Sequence, residues 1–167
     1  LTVPVVKKGR YDQRINEVEL KSDVEMWREN HLKKIEFAYR SAPCFADIMP
    51  HLSSIYGLGH QHLAPFNMAF ITFCCQFLGI DVEVRYASDL KAEGKKSVLL
   101  CNLTRAVGGT TYLSGLGAKD YLDEDVFAEA AIDVEWQSFH HPTYPQLHGT
   151  FVPGLSILDA LMNCGVQ

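Results

Sequence analysis

The sequence lacks an excess of basic residues. Its 15 Lys and Arg residues are outnumbered by 20 Asp and Glu residues, which gives a formal net charge of −5 at pH 7. Surfaces that bind nucleic acids normally carry a basic excess, so the composition argues against a nucleic-acid partner. The sequence also lacks an apolar run of about 20 residues, the length that crosses a bilayer, and no signal peptide is visible. We therefore expect no nucleic acid and no membrane span.

Paired cysteine motifs are missing as well. The chain has five cysteines, an odd number, and no two of them have CxxC spacing. Secreted disulfide scaffolds usually carry an even set in a shorter chain. The simplest interpretation is that the protein resides in a reducing cytoplasm. The cysteines expected to remain free thiols there are Cys44, Cys74, Cys75, Cys101 and Cys164.

The remaining composition is that of an ordinary globular protein. Hydrophobic residues make up 47% and charged residues 21% of the 167 positions, enough to bury a core without disulfides. Because there is no repeat, low-complexity tract or linker, we predict a single domain over residues 1–167. The first residue is Leu1 and not Met, and the segment LTVPVV already resembles a strand. We therefore expect the numbering to begin inside a longer chain, with a preceding segment missing.

The first half of the sequence is predicted to be mainly helical. Strands are expected at 1–7 and 16–20. A helix is expected from Ser22, where Ser22 and Glu25 form a capping box, and it ends at Pro43. Further helices are expected at 45–56 and 64–78, the second apolar nearly all round and therefore buried.

The second half alternates between strand and helix. Strands are expected at 80–86, 110–114 and 132–139, and helices at 94–107 and 118–131. Two successive strand–helix–strand units predict a parallel sheet. The predicted fold class is α/β: a Rossmann-like, three-layer α/β/α domain with a mainly parallel sheet and a helical insertion after the first strands. In such sheets, ligands bind in the loops at the carboxyl ends of the strands.

One of these loops has the sequence SGLGAK. Gly115 and Gly117 allow close approach of the backbone, and the start of the following helix with Lys119 suits an anion. Ser114 ends the preceding strand. The loop lacks the P-loop and GxGxxG patterns, and an ordinary glycine turn with a surface lysine explains it equally well.

The loop at 140–153 is rich in histidine and proline. His140, His141 and His148 could join Cys164 in a zinc site, but no HxxxH or CxxC pair supports this. A nucleophilic Cys164 activated by a histidine is a second interpretation.

A third interpretation of the same loop is a rigid wall of a small-molecule site. Prolines restrict its backbone, and Tyr144, Gln146 and His148 supply hydrogen-bonding groups. We predict this wall and no bound metal. His60 and His62, elsewhere in the chain, are interpreted as surface histidines at a helix entrance.

The segment after this loop, LSILDALMNC, follows the rules for a capped helix. Ser156 fits the N-cap, Asp159 fits the third helical position of a capping box, and Gly165 ends the helix. Asp159 therefore has a structural role available to it, beside a catalytic one.

Two C-terminal segments, TTYLSGLGAKDYL (residues 110–122) and YPQLHGTFVPGLSILDALMNCG (residues 144–165), resemble the WbqC-like family. Earlier segments agree with the resemblance in order: LTVPV, INEVEL, WRENHLKKIEFAY with Ala42-Pro43, and LGI at 78–80. The family normally has an additional N-terminal block that is not in this sequence. The positions that match its motifs are Ser114, Gly115, Gly117, Lys119, Tyr144, Pro145, Gln146, Gly149, Phe151, Pro153, Leu155, Ser156, Asp159 and Asn163.

This resemblance implies a pathway more firmly than a reaction. WbqC-like genes are associated with O-antigen and other surface-polysaccharide clusters and with natural-product clusters. We expect a cytoplasmic transferase that moves an acyl or aminoacyl group onto an amino sugar or a similar polar, anionic small molecule. The alternatives are a non-catalytic module that binds a nucleotide sugar or a partner, and a zinc-dependent hydrolase. The cofactor is unknown, and a homo-oligomer is compatible with the sequence.

Residue roles follow from this expectation. His148 or His141 is the expected general base, because imidazole titrates near neutral pH, and Asp159 is the third catalytic candidate. The expected substrate contacts are Ser114, Gly115, Gly117, Lys119, Tyr144, Gln146 and Ser156.

Overall fold

A computed structural model describes residues 1–22 and 26–166 of the chain. These residues form two compact units, one comprising Leu1–Val82 with His141–Gln167 and the other comprising Glu83–His140. We call them unit 1 and unit 2 and describe each by itself. The single domain over residues 1–167 stays a prediction. Glu25, the second residue of the predicted capping box, lies outside the described residues.

The regular elements are short helices and two strands. The helices are α1 (Trp27–Tyr39), α2 (Phe45–Gly57), α3 (Leu63–Phe77), α4 (Lys96–Ala106), α5 (Glu124–Glu129) and α6 (Ile157–Cys164). The strands are β1 (Thr111–Ser114) and β2 (Asp133–Trp136). Single turns of 3-10 helix cover Ile15–Glu17, Ala87–Leu90 and Leu116–Ala118.

Unit 1 is built from α1, α2, α3 and α6 around one core. Apolar residues at helical spacing supply it, as with Ile48, Leu52 and Ile55 on α2. Leu161 and Met162 bring α6 into the same core, with 1% and 0% of their surfaces exposed. Trp27 is buried on α1. Packing of these faces accounts for most of the stability of such short helices.

Helix α3 is less buried than predicted. Only Phe66 and Phe73 are buried on it, and Ile71 is 47% exposed. The apolar composition correctly predicts the helix, but the prediction of burial on all sides is wrong. An apolar side chain can enter a core, but it is buried only where other parts of the chain pack against it.

The predicted N-terminal strands are reduced to a small hydrogen-bonded ladder of three segments. Val5 pairs antiparallel with Leu20, and Glu19 pairs antiparallel with His62, each as an isolated bridge. The amide of Val6 donates to the Glu19 carbonyl at 3.0 Å, and the amide of Leu20 donates to the carbonyl at position 61 at 2.7 Å. Segments 4–6, 18–21 and 61–63 are thus fixed side by side.

Unit 2 contains a parallel strand–helix–strand arrangement. β1 and β2 are paired in parallel, with register from Thr111 opposite Asp133 to Ser114 opposite Trp136. Phe127 of α5, which lies between the strands in sequence, is fully buried with Cys101 and Ile132. The predicted parallel pairing of these two segments is confirmed.

The larger predicted sheet is not present in the described part of the chain. Residues 80–86 are not a strand, although their apolar and polar residues alternate. The apolar members Ile80, Val82 and Val84 are 51%, 58% and 49% exposed. Alternation favours extended backbone, but a strand exists only where a neighbour supplies hydrogen-bond partners. The structure is therefore a helix-rich α/β protein with a two-stranded parallel sheet, and the Rossmann-like three-layer sheet is not shown.

Two further observations concern predictions made from composition. Among residues 1–22 and 26–166, no helix is both long and apolar enough to cross a membrane. The five cysteines are free thiols, one buried and four half-buried.

Candidate functional site

The candidate site of unit 1 is centred on the carboxylate of Asp159, in the first turn of α6. Its side chain lies in the interior, with 5% of the residue exposed. The hydroxyl of Tyr39 donates to Oδ1 at 2.9 Å, and the hydroxyl of Tyr144 donates to Oδ2 at 2.9 Å. The Nε2 amide group of Gln146 donates to Oδ2 at 3.0 Å. Three neutral donors thus compensate the burial of one carboxylate, which would otherwise be costly.

Local sequence signals place Asp159 at this point. Ser156 is the N-cap of α6, and its Oγ accepts a hydrogen bond from the Leu158 amide at 3.3 Å. Gly165 ends the helix with φ 66° and ψ −144°, a backbone conformation that glycine adopts without strain. The predicted N-cap and C-terminal stop are confirmed.

The predicted capping role of Asp159 is wrong. Its carboxylate oxygens accept hydrogen bonds from side chains of α1 and of the loop before α6. The capping rule considers only neighbours three residues away, and the partners here lie 13, 15 and 120 residues away in sequence.

Both tyrosines at Asp159 remain protonated donors. Burial, followed by the hydrogen bond to Asp159, raises the pKa of Tyr39 to about 12. Burial and the same carboxylate raise the pKa of Tyr144. An ionised phenolate beside this carboxylate would place two negative charges together, so the geometry favours phenols that donate hydrogen bonds at neutral pH.

The loop before α6 is closed by a side chain. The Nε2 amide group of Gln146 donates to the Val152 carbonyl at 3.0 Å, and its Oε1 accepts from the Val152 amide at 2.8 Å. With its further bond to Asp159, Gln146 has both amide N–H groups engaged. Its role in the structure is to hold the loop; substrate binding by Gln146 stays a prediction.

His148 lies at the turn of this loop, exposed to solvent. Its backbone is left-handed, with φ 68°, and Gly149 follows with φ 108°. The Nε2 atom is 3.1 Å from the Ala38 carbonyl oxygen of α1. Because a carbonyl only accepts, Nε2 carries a hydrogen, and in the neutral ring Nδ1 holds the free electron pair. A left-handed backbone is uncommon for a residue with a side chain. The surrounding loop and the bond to Ala38 therefore hold His148 in a strained conformation.

Two cavities open beside this network. One, of about 240 Å³, is lined by Tyr39, His148 and Asp159 together with Ala38, Gln146, Leu147, Thr150, Val152 and Leu155. The other, of about 490 Å³, is lined by Lys34 and Ser156 together with Leu1, Ile35, Ala38, Tyr39 and Leu158. Ala38 and Tyr39 belong to both walls, so the cavities are neighbours on one face of unit 1.

His141 occupies a different environment from His148. Its ring stacks on Tyr144 with 6.1 Å between centroids and lies 5.8 Å from the ring of Phe151. Its Nδ1 is 3.1 Å from the Pro142 carbonyl oxygen. His141 therefore supports the ring of Tyr144 from outside, and a general-base role for it stays a prediction.

The SGLGAK loop belongs to unit 2. Ser114 is 4% exposed at the end of β1, and the Nζ of Lys119 lies 5.5 Å from the centroid of the Trp136 ring. The helix predicted to start at Ala118 is wrong, because Leu116–Ala118 is one 3-10 turn and α5 begins at Glu124. Space is open around the α-carbons of Gly115 and Gly117. Anion binding by this loop stays a prediction.

Metal binding was one interpretation of the histidine-rich loop. Among the described residues, no group of three or more His, Cys, Asp or Glu side chains is positioned to hold a metal ion. Cys164 lies elsewhere, near Cys44 and Asp159, and its pKa is raised by burial and by these two neighbours. A raised pKa disfavours the thiolate, so this environment does not activate Cys164 as a nucleophile.

Comparison with known proteins identifies the family. The sequence profile of the WbqC-like protein family matches residues 1–167. The chain belongs to the WbqC-like family. The resemblance seen in the sequence is thus confirmed over its whole length.

A relative of this WbqC-like chain is found in Mycobacterium tuberculosis. The protein, named "Uncharacterized protein Rv1507c", is 38% identical over 170 residues, and the match covers 100% of this chain and 72% of that protein. No solved structure matches the chain.

Sequence reasoning missed the contribution of α1 to this candidate site. On the last turns of α1, Tyr39 bonds to Asp159 of α6 and Ala38 bonds to His148 of the loop. Lys34 lines the second cavity together with Ser156 and Leu158. The segment WRENHLKKIEFAY contains these three α1 residues and belongs to the family resemblance. The signal in the sequence is the tyrosine at the C-terminal end of this helix.

Proposed function

We propose that this WbqC-like chain is an enzyme of surface-polysaccharide biosynthesis that transfers an acyl or aminoacyl group to the amine of an amino sugar or a similar polar intermediate. The family supports the pathway, because WbqC-like genes are associated with polysaccharide clusters. One observation supports the reaction: His148 is held by Ala38 at the edge of a cavity whose wall is the Tyr39–Asp159 network. The free thiols are compatible with a reaction in the cytoplasm.

In this proposal His148 is the general base. The acceptor amine attacks the acyl carbonyl carbon, a carbon–nitrogen bond forms, and the bond to the donor breaks. Nδ1 of His148 takes the proton that the amine loses, because Nε2–H is already engaged with the Ala38 carbonyl. The resulting imidazolium would lie in the same cavity wall as the Asp159 carboxylate, which favours its positive charge.

The neighbouring cavity would hold the rest of the ligand. Lys34 supplies a positive charge for a carboxylate or phosphate, and Ser156 supplies a hydroxyl. Because Ser156 Oγ only accepts from Leu158 in the structure, its hydrogen remains able to donate to a substrate. The lining residues Ile35 and Leu158 are apolar and suit the carbon skeleton of an acyl group.

The test is an acyl-transfer assay with the full chain. Nucleotide-linked amino sugars are incubated with acyl and aminoacyl donors, and N-acylated products are detected by mass spectrometry. His148→Ala should reduce product formation by about 10²-fold or more, the usual contribution of a general base. Its melting temperature should fall by only roughly 2–4 °C, because alanine loses the bond to Ala38 and fits the left-handed backbone less well.

A matched control is His51→Ala. His51, on α2, is an exposed histidine of the same unit, and its ring stacks on Phe73 of α3. The substitution should leave turnover unchanged. Turnover that survives in His148→Ala would remove the base assignment. Stoichiometric ligand binding without any product would favour a binding module over an enzyme.

A further inference from the structure

Unit 1 also contains a cavity that is separate from those beside Asp159. It measures about 700 Å³ and is lined by residues of the three-segment ladder: Val5, Val6, Lys7, Lys8, Glu19, Leu20, Lys21, Ser22, Gln61 and His62. This volume is in the range of small-molecule sites, roughly 300–1,000 Å³. The cavity has no lining residue in common with the two cavities described above.

Backbone hydrogen bonds hold the walls of this cavity in place. Lys21 donates its amide to the Pro4 carbonyl at 2.9 Å, and Leu63 donates its amide to the Val18 carbonyl at 2.8 Å. The bridge between Glu19 and His62 closes the other side. Side chains that are far apart in sequence therefore converge on a surface that the backbone has already fixed.

A tight turn brings two lysines to the same cavity. The amide of Arg10 donates to the Lys7 carbonyl at 3.1 Å, and Gly9 has a left-handed backbone with φ 75°. Lys7 and Lys8 both line the cavity from this turn. The turn also returns Arg10 to Glu19, so that its Nη1 lies 2.7 Å from the carboxylate oxygen.

Among the described lining residues, this pairing leaves an excess of positive charge. Glu19 is the one carboxylate among the described lining residues, and Arg10 already neutralises it. The ammonium groups of Lys7, Lys8 and Lys21 form no salt bridge with any described acidic residue. Three like charges at one concave surface repel each other, and a multivalent anion would relieve that repulsion.

We propose that the cavity lined by Lys7, Lys8, Lys21 and His62 binds the pyrophosphate group of a small molecule. Lysine ammonium groups are common ligands of phosphate. Three of them balance the charge of a di- or trivalent anion, whereas a ligand with a single carboxylate carries only one negative charge. Ser22 and Gln61 provide neutral groups that can bond to hydroxyls next to the phosphates. This site is independent of the acyl-transfer proposal, because it uses different residues.

Calorimetric titration of the full chain with sodium pyrophosphate tests the proposal. Wild type should bind, and Lys21→Ala or Lys8→Ala should each raise the dissociation constant by about two- to fivefold, the effect of losing one partly exposed ionic contact. Glu19→Gln removes the one carboxylate among the described lining residues and should tighten binding. Affinity should fall as salt rises, because these charges are near solvent.

Lys33→Ala is the matched control. Lys33 is an exposed lysine of α1, so its removal changes the net charge of the same unit by the same amount away from the cavity. If Lys33→Ala weakens pyrophosphate binding as much as Lys21→Ala, or if wild type shows no binding at low salt, the proposal is wrong.

Parallel titrations with uridine diphosphate and adenosine diphosphate identify the source of the pyrophosphate. A nucleoside diphosphate that binds more tightly than pyrophosphate indicates a nucleotide ligand. Equal affinities indicate recognition of the phosphates alone. Either result supports the site, whereas nucleoside diphosphate binding that is unaffected by Lys21→Ala and Lys8→Ala contradicts it.

Discussion

Tyr39, the last residue of α1, donates a hydrogen bond of 2.9 Å to the carboxylate of Asp159, 120 residues later in the first turn of α6. This bond connects two helices and, through Asp159, the loop that carries Tyr144. The network thus ties together the C-terminal end of α1 and the N-terminal end of α6. Its strength can be measured separately from any catalytic role.

Tyr39→Phe removes one donor from a buried carboxylate and leaves the ring in place. We expect the free energy of unfolding to fall by about 2 kcal/mol, since hydrogen bonds to charged groups contribute roughly 1.5–3 kcal/mol. Urea denaturation followed by circular dichroism measures the change. Tyr11→Phe, at a tyrosine that is 93% exposed, should change stability by less than about 0.5 kcal/mol.

Substitutions at Asp159 should differ in a fixed order. Asp159→Ala leaves the hydroxyls of Tyr39 and Tyr144 and the amide of Gln146 without their acceptor, at about 3–5 kcal/mol. Asp159→Asn keeps one acceptor oxygen and the same shape, so its cost should be smaller. The comparison is made by urea denaturation of both variants. Wild-type stability in both variants would mean that the network contributes little.

His31 should make stability depend on pH. Its Nε2 donates to the Thr2 carbonyl at 3.2 Å, and its Nδ1 lies 3.0 Å from the Tyr56 hydroxyl and accepts its hydrogen. Burial lowers the pKa of His31 below its ordinary value of 6.5. The unfolded chain therefore binds a proton first as the pH falls below 6.5, so the folded state loses stability from that pH down to the lowered pKa.

The measurement is the urea midpoint of wild type and His31→Gln between pH 7.5 and 5. The midpoint of wild type should fall in this range, and glutamine, which does not titrate, should flatten the fall. His51→Gln is the control, because His51 is exposed and should leave the wild-type slope intact. An unchanged slope in His31→Gln would assign the effect to another group.

Gly165→Ala should be destabilising for two separable reasons. Position 165 has φ 66° and ψ −144°, a region nearly restricted to glycine, which costs an alanine about 1–3 kcal/mol. An added Cβ would also lie 2.9 Å from Cys44 Sγ. In a Cys44→Ala background the contact disappears and only the backbone strain remains, so the same substitution should cost less.

Gly59→Ala isolates backbone strain for comparison. Gly59 has φ 68°, and nothing lies within 4 Å of the position that a Cβ would take. Its cost should be about 1–3 kcal/mol, the range for an unfavourable backbone conformation without a side-chain contact. Urea denaturation of wild type, Gly165→Ala, Cys44→Ala and the double variant gives the coupling energy between positions 165 and 44. A value near zero would show that Cys44 moves aside without cost.

Local signals in the sequence predict much of the helical structure. The capped helix α6 is an example: Ser156 at its start and Gly165 at its end both act as predicted. These signals work because capping involves neighbours within a few residues, so the required partners are always present.

Long-range partners explain what the sequence did not predict. The alternation at 80–86 is real, but a strand requires a neighbouring strand that no local pattern can supply. Asp159 fits a capping box by spacing, yet Tyr39 and Tyr144 bind its carboxylate instead. The basic cavity was missed for the same reason, since Lys7 and Lys21 meet only through the ladder.

The clasp between Gln146 and Val152 has an evolutionary consequence. Two hydrogen bonds from one side chain close the ends of the segment between them, six residues apart in sequence. The ends of this segment therefore stay attached to Asp159 whichever residues occupy the positions between them that lie outside the family motifs, such as Leu147 and Thr150. Substitutions at these positions can change the surface of the loop without a change in the helices that carry it.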